Sequence, residues 1–170
     1  MASSVRHNYH EDNEAALNKY INLELHASYV FLALSYHFDR DDVALPGLSK
    51  LFRGYSDFEL VNAHKLMKYQ NQRGGRVVLH DVFPPSKQEW DKGLEGIQTA
   101  LDLKKELNEA LLNLHGKVSE TNDPHVLHFL DDNFINEHVE TIKKLGDMVT
   151  QLQRAGDGHL GLHIFDKDLL

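Results

Sequence analysis

The 170-residue chain has no cysteine, four prolines and fewer basic than acidic side chains. Without cysteine, a disulfide framework, a CxxC redox site and a thiolate zinc site are all excluded. The prolines, at 46, 84, 85 and 124, each sit at or near a break in the hydrophobic pattern, so the stretches between them run uninterrupted. Lys and Arg number 18 against 26 Asp and Glu, a net charge of −8. A nucleic-acid binder needs a basic footprint, so no nucleic-acid partner is expected. The acidic balance suits metal cations better. No apolar run approaches the roughly 18–20 residues that span a bilayer, so no membrane partner is expected either. The first ten residues carry no apolar segment behind their charge, unlike a signal peptide, and the expected compartment is the cytoplasm.

What the chain does have is 41% hydrophobic residues arranged at helical spacing. Residues 1–170 read as a single all-α domain. A first helix from about Glu11 to Phe38 carries the stripe Leu17, Tyr20, Glu24, Ala27, Phe31, Leu34, Phe38. A second starts near Pro46, with Leu48, Phe52, Tyr55, Glu59, Asn62 and Leu66 on its stripe, and Gly74-Gly75 stops it. A third runs from about Lys92 to Ser119, with Leu94, Ile97, Leu101, Lys104, Asn108, Leu111, His115 and Val118. In the fourth, Asp123 is the expected N-cap and Pro124 the first helical residue. Its stripe is Leu127, Asp131, Phe134, His138, Thr141, Leu145, Met148, Leu152. The bundle covers about 11–156, and a short C-terminal helix is expected over about 160–169.

Short turns make helices one and two, and three and four, antiparallel pairs. Between helices two and three lie about 18 residues, Gly74 to Asp91. A 28-residue helix is about 42 Å long, a distance that many extended residues can cover. The expected topology is therefore a four-helix bundle with a long crossover, its Val77-Val78-Leu79 run burying an apolar edge.

Each helix places polar residues in its stripe near mid-length: Glu24, Glu59 with Asn62, Lys104, and His138. A buried charge must be paired or hold a ligand, and bundles build metal sites in such layers. A two-iron carboxylate site asks for two Glu-x-x-His pairs and two further Glu. This chain has no Glu-x-x-His; the nearest match is Glu59-Leu-Val-Asn62. Three readings stay open: a polar core in which Lys104 pairs with Glu59 or Glu24, a single weak metal site on Glu24, Glu59 and His138, or a working two-metal site.

Several runs, in order, carry a resemblance along nearly the whole chain: Ile21-Asn-Leu-Glu-Leu25, Phe38-Asp-Arg-Asp-Asp-Val-Ala-Leu45, Gln70-Asn-Gln-Arg-Gly-Gly-Arg76, Asn122-Asp-Pro-His125 and Lys144-Leu-Gly-Asp147. The chain resembles a ferritin subunit. That likeness implies a ferritin-like four-helix bundle with a short fifth helix, assembled into a cage of twenty-four subunits that stores iron. Catalytic subunits of that family oxidise ferrous iron at a centre inside the bundle. Carried over, Glu24 and Glu59 keep the family's glutamates, whereas Asn62 replaces a histidine, Lys104 a glutamate, His138 a glutamine and Phe31 a tyrosine. Glu59 with Lys104 looks like the salt bridge of the non-catalytic, light-type subunits. That type also carries a glutamate cluster on the cavity face of helix two; here the positions are Gly54, Asp57, Phe58 and Val61, and the Phe58, Leu60, Val61 turn is apolar.

The family's three-fold pore falls on His128 and Asp131, with His115 nearby, so a ring of imidazoles that binds other divalent metals is a further expectation. Of the remaining histidines, only His7 and His10 are expected to share a ligand spacing. The resemblance thus implies an iron-storage subunit without ferroxidase activity or strongly impaired in it, in a homomeric cage or one mixed with catalytic subunits. The alternatives are a slow ferroxidase using Glu24, Glu59, Glu137 and His138, and a cage reused for other metals through histidine-lined pores.

Overall fold

The computed structural model describes residues 2–156 and 158–170. Amphipathic spacing and local caps account for its helices. Helix α1 (Glu11–Phe38) starts where the His10 ring accepts a hydrogen bond from the Asp12 N–H, and Glu11, Asp12 and Glu14 fill its first turn. Acidic side chains there suit the positive end of the helix dipole. Helix α2 (Pro46–Gln72) opens on proline, and α3 spans Gly93–Glu120. Helix α4 (Pro124–Leu130) has the expected cap: the Asp123 carboxylate accepts from Val126 N–H at 3.2 Å and is held by both Arg73 terminal nitrogens at 2.9 and 3.0 Å. Helices α5 (Asn136–Ala155) and α6 (His159–Asp168) complete the chain, and no strand occurs among the described residues.

The expected continuous fourth helix is instead α4 and α5 joined by a π-helical turn, Asp131–Ile135. The buried residues explain it. Val126, Leu130, Phe134 and His138 all face the core, each four residues from the last. On an α-helix of about 3.6 residues per turn that row drifts off one face; a turn of wider pitch brings it back. The inward stripe is therefore Val126 and Leu130, with Asp131 exposed. In α3 the core takes Leu107 and Leu114, and Asn108 and His115 stand at its margin.

Residues 73–92 cross the length of the bundle along α1. Side chains of α1 stitch the crossover backbone down. Asn18 donates to the Arg76 carbonyl at 2.9 Å and accepts from Val78 N–H at 3.2 Å; Asn22 donates to the Asp81 carbonyl at 3.1 Å. His26 meets the Phe83 carbonyl at 3.1 Å and His37 the Trp90 carbonyl at 2.8 Å. Gly93 then lies against Leu48 from the start of α2, which makes α2 and α3 parallel. The expectation that the Val77–Leu79 run buries an apolar edge fails: Val77 is half-buried, while Val78 and Leu79 are exposed. Polar stitching, not apolar burial, anchors this segment.

Two apolar clusters form the core. One gathers Phe31, Phe38, Phe52, Trp90, Ile97, Leu145 and Leu152; the other Leu17, Tyr20, Ile21, Leu66, Leu111, Leu130 and Phe134. Five fully buried polar residues, Glu24, Glu59, Asn62, Lys104 and His138, fall between them.

Helix α6 docks on the start of α2, whose N-cap residue Leu45 makes no side-chain bond. Asp166, buried, supplies the missing acceptor from the far end of the chain and takes Leu48 N–H at 2.7 Å. A Cβ at Gly47 would collide with the Asp166 carbonyl, so glycine permits the approach. Leu162 packs on Gly93 and Leu48, while Leu160 and Ile164 face outward. Asp166→Ala is expected to destabilise the chain by about 0.5–2 kcal/mol, the usual loss for a helix cap, as measured by denaturant unfolding.

Candidate functional site

Between the two apolar clusters, α1 contributes Tyr20 and Glu24, α2 Glu59 and Asn62, α3 Lys104, and α5 Glu137 and His138. Glu24, Glu59, Asn62, Lys104 and His138 are all fully buried. Each is there because its position falls on the inward stripe of its helix. The Lys104 ammonium lies 2.7 Å from Glu59 Oε1 and 3.3 Å from Glu137 Oε2. Phe58 covers it, ring centroid 5.8 Å from Nζ. The expected partners were Glu59 or Glu24; the structure keeps Glu59 and substitutes Glu137, which projects from α5 toward the ammonium. Asn62 donates to Glu59 Oε2 at 3.3 Å, and Tyr20 shares a 3.2 Å hydrogen bond with His138 Nε2.

The electrostatics follow from burial and one central cation. Burial alone would lower the Lys104 pKa, but Glu59 and Glu137 outweigh it and raise it, so the ammonium stays charged. Burial, and then the neighbouring Glu59 carboxylate, push Glu24 well above the usual carboxyl range and favour its neutral acid. Both Glu24 oxygens lack a hydrogen-bond partner among the described residues, as do Asn62 Oδ1 and His138 Nδ1. Burial, and then Lys104, push the His138 imidazole down to about 4. Two carboxyl side chains, Glu59 and Glu137, face the one ammonium.

These residues do not fit a two-iron centre. Iron asks for ionised carboxylates and imidazoles. Here an ammonium stands among the carboxyl groups, and the residue three positions after Glu59 is the amide Asn62 rather than an imidazole. Among the described residues, no three His, Asp or Glu side chains converge as a metal-holding group; the expected trio of Glu24, Glu59 and His138 is not brought together in that sense. Phe31 fills its position as packing, 5.3 Å from the Tyr55 ring.

The residues expected at a pore form local pairs. His115 Nε2 meets Asp131 Oδ1 at 3.1 Å. His128 Nε2 meets Asp132 Oδ2, one turn on, at 3.0 Å. His125 is engaged with Tyr69, Nδ1 to hydroxyl at 2.8 Å. Asp57, the one acid on the helix-two surface tested above, pairs with Arg53 at 3.2 Å. The sequence reading missed Glu137 as a partner of Lys104, although it precedes His138. It also missed His159 and His163, one turn apart at the start of α6, whose four-residue spacing was visible.

The His138 shift has a pH consequence. A folded-state pKa of about 4 lies below the imidazole's ordinary 6.5, so the unfolded chain binds the proton first. His138 contributes full stability above pH 6.5, lost progressively as pH falls toward 4, about 3 kcal/mol at most. Glu24, shifted the other way, stabilises at low pH and opposes it. Comparing parent with His138→Leu by denaturant unfolding isolates the term: the parent is expected to lose more stability than the variant between pH 6.5 and 4.

A model of the ferritin-like domain matches residues 14–155. The chain is 51% identical over 169 residues to a ferritin from Pacifastacus leniusculus, covering 99% of this chain and 93% of that one. It is 49% identical over 168 residues to a soma ferritin from Lymnaea stagnalis, covering 99% and 96%. With a bundle, crossover and terminal helix in the expected order and two near-full-length relatives at about half identity, this chain belongs to the ferritin family.

Proposed function

We propose that this chain is an iron-storage cage subunit whose internal oxidation centre has been replaced by a salt bridge. The observation that carries this is the Lys104 ammonium, bonded to Glu59 at 2.7 Å and Glu137 at 3.3 Å inside the bundle. A divalent cation entering the layer would meet that ammonium at close range in a low-dielectric interior, where like-charge repulsion is strong. It would also have to displace bonds that satisfy a buried charge. Iron is the cargo in this reading, and oxidation is supplied by other subunits or by slow chemistry at the mineral. This reading includes self-assembly into a twenty-four-subunit cage, alone or mixed with catalytic subunits, and family membership supports it. The exposed Tyr29, Tyr36, Leu79 and Phe83 suit burial against further copies. No helix among the described residues is long and apolar enough to cross a membrane, and a cytoplasmic setting accords with iron storage.

Ferrous iron added aerobically to the purified protein is expected to oxidise no faster than in a no-protein control. Rapid, saturable oxidation would overturn the proposal in favour of residual catalysis by Glu24, Glu59, Glu137 and His138. The double substitution Lys104→Glu with Asn62→His is expected to restore fast oxidation.

A second reading concerns entry. His115–Asp131 and His128–Asp132 are two exposed imidazole–carboxylate pairs at the π-helical turn. Around a three-fold axis they would hold divalent cations other than iron as well. Soaking crystals of the assembled protein in Zn2+ is expected to place metal at His128; an axis without metal counts against this role.

A further inference from the structure

Helix α6 begins at His159, so His159 and His163 stand one turn apart on one face. Both are exposed, and together they line a cleft of about 510 Å³ with Val43, Ala44 and Leu45 from the turn between α1 and α2. Most other histidines are engaged. His37 is bonded to Trp90, His115 to Asp131, His125 to Tyr69, His128 to Asp132 and His138 to Tyr20. His159 and His163 make no hydrogen bond or ion pair among the described residues, which leaves their ring nitrogens available. We infer that His159 and His163 form a two-imidazole clamp for a borderline transition cation of the Cu2+, Zn2+ or Ni2+ class.

The chemistry and the support both favour this. Imidazole nitrogens suit those cations better than Mg2+ or Ca2+, which want oxygen. One helical turn is the spacing at which two side chains reach a common ion, as in the paired histidines of helical zinc sites. The helix is held at both ends. Its C-terminal half is fixed by Asp166 on Leu48 N–H at 2.7 Å and by Lys50 on the Leu170 carbonyl at 2.6 Å. Its first turn is pinned by Gly161, whose bare Cα faces the Ala155 carbonyl so closely that a Cβ there would lie 2.8 Å from it. The two rings are thus presented on a rigid element, so little ordering is needed to bind. The clamp supplies two ligands, and water or a neighbouring copy completes the coordination. It is separate from the buried Lys104 layer and does not depend on whether that layer oxidises iron.

Cu2+ titration of the assembled full-length protein, followed by calorimetry and by the nitrogen couplings in its paramagnetic resonance spectrum, tests this. His159→Ala and His163→Ala are each expected to remove one high-affinity Cu2+ per chain, weakening it at least about tenfold, the lower end of what even an outer-shell partner contributes. The double variant should lose no more than either single one, because a chelate needs both rings. A His163→Leu, Ile164→His variant keeps the histidine number but breaks the spacing, and it should behave like the alanine variants. Both positions are exposed, and unchanged circular dichroism confirms that each variant is folded. Unchanged copper stoichiometry and affinity in the double variant, additive losses in the singles, or full affinity in the shifted-histidine variant would each overturn the clamp.

Discussion

Lys104 sits without water contact between Glu59 and Glu137, and most of the interior is arranged around that ammonium. An isolated charge there would be prohibitively expensive. Paired at 2.7 and 3.3 Å, it remains ionised and organises its neighbours. Burial and then its field push the His138 pKa down, while burial and then Glu59 push the Glu24 pKa up. The layer also separates two apolar clusters that would otherwise merge. Removing one member of a buried pair typically costs about 3–5 kcal/mol, whereas the pair as a whole adds little. The arrangement is better understood as a constraint on what the bundle can hold than as a source of stability.

That constraint links structure to function. A bundle that gathers ionised carboxylates and histidines at mid-height is built to take up metal. In this bundle an ammonium stands in that layer, paired with Glu59 and Glu137. Polar contacts tie the scaffold together: the crossover is stitched along α1, α6 caps α2 through Asp166, and Arg73 braces the start of α4 through Asp123.

Much of this was legible residue by residue. The stripes located α1 and α2 closely, Asp123 and Pro124 marked the start of α4, and the long segment after Gly75 implied parallel α2 and α3. Lys104 in an apolar stripe announced a salt bridge. Other features were legible in hindsight. Asn18, Asn22 and His26, spaced by fours on α1, are the side chains that hold the crossover, but spacing alone does not say which backbone they meet. Three successive four-residue steps from Val126 to His138 were the signal for the π-helical turn. His159 and His163 showed their spacing openly once α6 was known to begin at His159.

The sequence by itself determined the helices, their order, the family and the chemical character of the central layer, because periodicity and residue type are local properties. Tertiary structure decided which groups share that layer. Glu137 rather than Glu24 reaches Lys104, since partner choice depends on how α3 and α5 face each other across the bundle. Asp166 caps a helix 118 residues away. Contacts of that range are set by how helices pack, and no spacing along the chain encodes them directly.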